Sequence, residues 1–256
     1  MIVHFQKSVR FISFGFVLFI SLSCSKQAGL YQIHETKSFS YEINKDLGVD
    51  SSMIRFLQPY KDSLNKTMGK IISFSDIRMS KGFPEGLLGN FLTDLIFNYS
   101  KKNLNLRFDF CLQNNGGFRA DLPAGQVTVK NIYEIMPFDN ELVVLEIDPK
   151  TMEALLSYIS NGEAVSVSGI RIIIHKNSKN EAFINNLLID TAKTYLMATS
   201  DYLANGGSYM YFLKSCKRAN ETKLKIRDIE IAALEQKYTA NQHLNSKSDG
   251  RIQVVE

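Results

Sequence analysis

Chemistry in this chain would have to come from a short inventory. Beyond the first residues only three histidines occur, His34, His175 and His243, each in a different setting. A two-metal hydrolytic centre needs several His and carboxylate ligands converging on its ions, and histidines this scattered do not have that spacing. The sequence has no Gly-x-Ser-x-Gly elbow, no Walker loop and no Gly-x-Gly-x-x-Gly turn. Two Gly-Gly loops are more informative. Asn114-Asn115-Gly116-Gly117-Phe118-Arg119 and Tyr202-Leu203-Ala204-Asn205-Gly206-Gly207-Ser208 each follow a predicted strand. Paired glycines let backbone approach a ligand closely and free N–H groups to bind it; taken singly, each loop reads more readily as a tight turn.

The elements that must position these loops alternate along the chain. Residues 70–74 and 104–112 read as strands, and the three-and-four spacing of Leu87, Leu88, Phe91, Leu92, Leu95, Ile96 and Tyr99 predicts a helix starting near Gly86. Val127–Val129 is a short extended stretch, and a short helix follows over residues 131–135, ahead of Pro137. Glu141–Ile147 is a strand, and Pro149 opens a helix through Ile159 with Asp148 as its N-cap. Strands are expected at 170–175, 183–189 and 194–199, and a late helix at 223–238. Interleaved helices and strands predict an α/β (α+β) domain of mixed sheets with flanking helices.

The chain of 256 residues carries 30 Lys+Arg against 26 Asp+Glu, a net charge of +4 too small and scattered for a nucleic-acid binder. Lys7 and Arg10 precede the apolar run Phe11–Ile20, which ends in Ser21-Leu22-Ser23-Cys24 and then turns polar. This has the length and layout of a signal peptide and is short for a spanning helix, the alternatives being plain secretion with cleavage nearby or an uncleaved anchor. It resembles a bacterial lipoprotein signal, with residues 1–23 removed and Cys24 lipidated. The expectation is an exported protein, lipid-anchored to the cell envelope, with residues 24–66 as tether and lead-in and 67–256 as one domain. Export permits a disulfide between Cys111 and Cys216, although Cys111 in its apolar run reads as well as a buried thiol.

Five blocks, in order, carry a family resemblance: Gly89-Asn90-Phe91-Leu92-Thr93-Asp94, Asn114–Arg119, Ala124-Gly125-Gln126-Val127-Thr128, Met136-Pro137-Phe138-Asp139-Asn140 and Tyr202–Ser208. Over about residues 68–215 the chain resembles the C-terminal domain of the 5'-nucleotidase family. The resemblance implies an α/β/β/α-layered nucleotide-recognition domain in which Phe138 and Tyr202 sandwich the base and Asn114 reaches the base edge. It also implies that Arg119 faces phosphate and that Gly116, Gly117 and Gly206 bring backbone close to the ligand. Ser208 stands where the family has an Asp that holds the ribose hydroxyls, Asn115 where it has a Gly, and Pro84 where it has an Arg, with Lys81 nearby but not equivalent.

The family's metal-binding motifs, Asp-x-His, Gly-Asn-His-Glu and Gly-His-x-His, do not occur in this sequence. No cofactor is therefore expected on this chain, divalent metals being expected on a partner. The resulting expectation is the substrate-binding half of a split 5'-nucleotidase, inactive alone and acting with a separate metallophosphoesterase. The alternatives are a stand-alone nucleoside-binding lipoprotein and a ligand-free scaffold with both rings in the core.

Overall fold

A computed structural model of the chain describes residues 35–44, 48–176 and 178–255. The signal segment and Cys24 lie outside the described residues. The chain divides into two units, Met1–Ser51 and Ser52–Glu256. Up to Asp50, the described residues of the first are exposed and form no helix or strand.

The second unit takes in nearly all of an 18-residue helix, α1 (Ser51–Met68), where the sequence reading has only a lead-in. Met53, Ile54, Leu57, Tyr60 and Leu64 recur at helical spacing but stay exposed, and Pro59 interrupts the pattern. Next come β1 (Ile71–Ser75), α2 (Leu87–Asn103), β2 (Phe110–Asn114), β3 (Gly125–Thr128), α3 (Val129–Ile135), β4 (Glu141–Ile147) and α4 (Pro149–Ser160). The chain continues through β5 (Val165–Ser168), β6 (Ile170–His175), β7 (Glu181–Ile184), β8 (Leu187–Leu188), β9 (Tyr195–Ser200) and α5 (Asp201–Ala204). It ends with β10 (Arg218–Lys225), α6 (Ile226–Thr239) and β11 (Ile252–Val255).

The central sheet runs β10-β4-β9-β2-β5, and a second runs β11-β6-β7-β8. Both are mixed: β2 lies parallel to β9 and antiparallel to β5, and β11 lies parallel to β6. Period-two alternation sends successive side chains of the central sheet to opposite faces. Leu142, Val144, Cys111 and Ala198 join α2, α3 and α6 in one core. Val143, Leu145, Ile147, Phe110, Leu112 and Met197 join α4, β6 and β7 in another. Five strands between two cores give the expected mixed α/β architecture.

Several boundaries differ from expectation for local reasons. β2 begins at Phe110 and not at 104, because Leu106 N–H still bonds Ser100 O at 3.1 Å while Asn105 turns left-handed at φ 51°. The strand expected over 183–189 is a hairpin turning through Asn185 and Asn186, at φ 53° and 62°. Asp148 does cap α4, accepting Thr151 N–H at 2.7 Å. Gly89 is required by close approach: a Cβ there would lie 1.8 Å from Ser166 Oγ on β5.

Strand directions gather the candidate residues. Leu142 pairs with Ser200, so β4 begins where β9 ends. Because β2 runs parallel to β9, with Cys111 opposite Ala198, Asn114 leaves the sheet at that same edge. The loops bearing Asn114, Phe138 and Tyr202 therefore emerge together.

Candidate functional site

The first Gly-Gly loop leaves β2 as a single 3-10 turn over Asn115–Gly117. The Asn114 amide folds over it: a Cβ on Gly116 would lie 3.3 Å from Asn114 Nδ2, and one on Gly117 3.4 Å from its Oδ1. Asn115 is buried, accepts from Ser166 Oγ and donates to Gly82 O at 3.1 Å, so it fixes the loop instead of facing a ligand. Arg119 is exposed, and its backbone N–H bonds Ile135 O at 2.7 Å, beside the loop that carries Phe138.

The second loop is shaped by left-handed backbone, with Gly206 at φ 86°, Ser208 at 51° and Tyr209 at 62°. Gly207 lies flat on the Tyr202 ring: a Cβ there would meet three ring atoms at 2.4 to 2.6 Å. Ser208 N–H donates to the Tyr202 hydroxyl at 3.0 Å. One ring face is thus covered by the chain's own backbone, while Tyr202 remains 46% exposed.

The two loops meet directly. Asn114 Nδ2 donates to Ser208 Oγ at 3.1 Å. Tyr158 on α4 donates its hydroxyl to Ser208 O at 2.7 Å. Burial chiefly, and then Glu163, push the Tyr158 hydroxyl up to about 12, so it keeps its proton at neutral pH.

Phe138 sits between α3 and β4, 41% exposed. Asp201 ties this side to the other: its Oδ1 accepts Glu141 N–H at 3.0 Å and Tyr202 N–H at 2.8 Å. The Phe138 loop is also gripped from α6. Arg227 Nη1 donates to Met136 O at 3.3 Å and Phe138 O at 3.2 Å, and Nη2 donates to the Asp139 carboxylate. Lys225 first, and Arg227 second, hold the Asp139 carboxyl below the usual carboxylate range. Tyr158, Asp201 and Arg227 were missed by sequence reasoning, because each reaches the site through a contact distant in sequence.

The Gly89–Asp94 block proves to be scaffold. Asn90 donates to Glu85 and to Lys247 O, and Asp94 accepts Arg251 Nη1 at 2.7 Å and Ser168 Oγ at 2.6 Å. Cys111 and Cys216 are free thiols facing opposite cores, and burial pushes Cys111 up to about 12. Two cavities, of about 520 and 650 Å³, open beside α2–α6 and beside α4–β7, away from the rings. Among the described residues no three His, Cys, Asp or Glu side chains converge as a metal centre requires.

Chemically, the gathered segments offer two half-exposed aromatic rings, an amide and a hydroxyl, with the exposed Arg119 five residues beyond Asn114. That set suits a flat heteroaromatic ring bearing polar and anionic substituents.

A family model described as 5'-nucleotidase, C-terminal domain, matches residues 66–215. The trifunctional nucleotide phosphoesterase protein YfkN of Bacillus subtilis is 27% identical over 221 residues, 78% of this chain and 15% of that protein. A 5'-nucleotidase of Vibrio vulnificus is 23% identical over 181 residues, 67% of this chain and 32% of that one. Among solved structures, a 5'-nucleotidase precursor from Thermus thermophilus superposes with a TM-score of 0.65 at 24% identity, covering 80% of this chain and 42% of that one. The NAD nucleotidase of Haemophilus influenzae gives 0.60 at 18%, covering 80% and 41%. These two likenesses show the fold, and the chain spans less than half the length of each of these four relatives.

Proposed function

This chain belongs to the family of 5'-nucleotidase C-terminal domains, and from that premise we propose that it holds a nucleoside or nucleotide between Phe138 and Tyr202. The observation that carries this reading is the pair of half-exposed rings on one sheet edge, joined through Asp201. Stacking a base on aromatic rings contributes about 1–3 kcal/mol per base. Asn114 and Ser208, bonded to each other, present an amide and a hydroxyl to base edge and ribose. The exposed Arg119 guanidinium suits phosphate. Exposure of both rings also speaks against the ligand-free scaffold, which needs them in the core.

The reading extends to a division of labour. Phosphate monoester hydrolysis is among the slowest uncatalysed reactions, and stacking on the base does nothing at phosphorus. The described residues offer no ligand set for the metals of this chemistry, so no catalytic step is assigned to them. The chain acts as the substrate-recognition half of a 5'-nucleotidase, with divalent metals and activated water supplied by a separate metallophosphoesterase. The sequence of residues 7–24 supports export and attachment through a lipid on Cys24; fatty-acid labelling that survives Cys24→Ala would refute the attachment.

The test is titration of the purified protein with adenosine and AMP, followed by phosphate release from AMP with Mn²⁺, alone and with an added metallophosphoesterase. Binding without release until the second protein is present supports the reading. Metal-dependent release by this chain alone contradicts it.

A further inference from the structure

We propose that Arg227 is a positioning residue for base recognition, orienting the Phe138 ring by gripping the loop that carries it. The inference rests on the nucleotide-binding reading above and adds a residue to that site.

Arg227 belongs to the first turn of α6, and its side chain is only 5% exposed. Its guanidinium lies 4.0 Å from the centre of the Tyr133 ring, one helix before the loop. Every hydrogen bond it makes goes to one short segment: the carbonyls of Met136 and Phe138 and the carboxylate of Asp139. Its neighbours complete the grip, Lys225 Nζ reaching Asp139 at 2.7 Å and Ile226 N–H bonding Asn140 O at 2.9 Å. Residues 225–227 thus hold nearly the whole of residues 136–140.

A rival partner is ignored. Glu230, three residues along the same helix, is fully buried with neither carboxylate oxygen bonded, and Arg227 Nε is likewise unpartnered. Both terminal nitrogens of the guanidinium are committed to the Phe138 loop and neither to Glu230. The donors instead fix a carbonyl on the ring-bearing residue. Packing cannot do this, since Phe138 is half in solvent. Pinning the Phe138 carbonyl and the next side chain sets the direction of its Cα–Cβ bond. A loop that visits the stacking orientation only part of the time binds more weakly by that fraction. Loss of the grip therefore weakens base binding, by no more than loss of the ring itself, roughly 5- to 150-fold.

The experiment compares Arg227→Met, Asp139→Asn and Phe138→Ala, and each of the first two combined with the third, by calorimetric titration with adenosine and ribose 5-phosphate. Arg227→Met should weaken adenosine roughly 3- to 30-fold, leave ribose 5-phosphate unchanged, and add nothing in the Phe138→Ala background. Asp139→Asn, at an exposed carboxylate, should show the same selectivity with a smaller loss, and serves if Arg227→Met does not fold. Equal losses for both ligands, or losses that add to that of Phe138→Ala, overturn the inference while leaving the binding site standing. Unchanged adenosine affinity in Phe138→Ala overturns the binding reading itself, and the inference with it.

Discussion

Asn114 and Ser208, 94 residues apart, share a hydrogen bond of 3.1 Å that joins the two Gly-Gly loops across the sheet edge. The amide donates, so the hydroxyl proton of Ser208 is left to point elsewhere. Ser208 already receives Tyr158 on its carbonyl and gives its N–H to Tyr202. It is a structural node between the two loops.

Ser208→Asp should therefore tighten adenosine. A carboxylate still accepts from Asn114 and has oxygen to spare for ribose hydroxyls, and charge-assisted bonds are about twice as strong as neutral ones. Left-handed backbone at this position is tolerated by Asp. The expected gain is about 1 kcal/mol, roughly fivefold, with none for 2',3'-dideoxyadenosine. Equal gains for both ligands would show that the carboxylate does not meet ribose.

Arg119→Ala should weaken AMP by about 1.5–3 kcal/mol, the worth of a hydrogen bond to a charged group, and adenosine hardly at all. Titration of both ligands decides it. Equal losses would make Arg119 a residue that shapes its loop.

Stability should fall as pH rises through neutrality. Burial pushes Glu230 up from 4.5 to about 8, Arg227 opposing only in part. Between those values the folded protein keeps a proton that the unfolded chain releases, so each step up in pH favours unfolding. Below pH 4.5 both states hold the proton and the cost vanishes. Glu230→Gln removes the dependence: thermal melts should place the variant above the parent at pH 8 and level with it near pH 4.5. Parallel curves across that range would contradict the assignment.

Elements with one buried face were legible in the sequence. The stripe of α2, the alternation of β6 and the Asp148-Pro149 start of α4 each bury apolar side chains at the period of their own geometry. Elements without such a face were not. β10 reads Arg218-Ala-Asn-Glu-Thr-Lys-Leu-Lys225, lies at the sheet edge and is mostly exposed, so no alternation announced it. α1 has the helical spacing but no buried side to confirm it. At the candidate site, Asn114, Phe138 and Tyr202 could be singled out in the sequence because their order matches a family pattern. Arg227 and Asp201 could not, since nothing local marks an Arg in a helix or an Asp after a strand as the holder of a loop 60 or more residues away.

The most direct measurement is calorimetric titration of adenosine into the purified protein and into its Phe138→Ala and Tyr202→Ala variants, with thermal melts confirming that each is folded. Two stacking faces predict saturable binding, weakened by about 1–3 kcal/mol in each variant. No binding to the parent protein, or equal affinity in all three, would contradict the account.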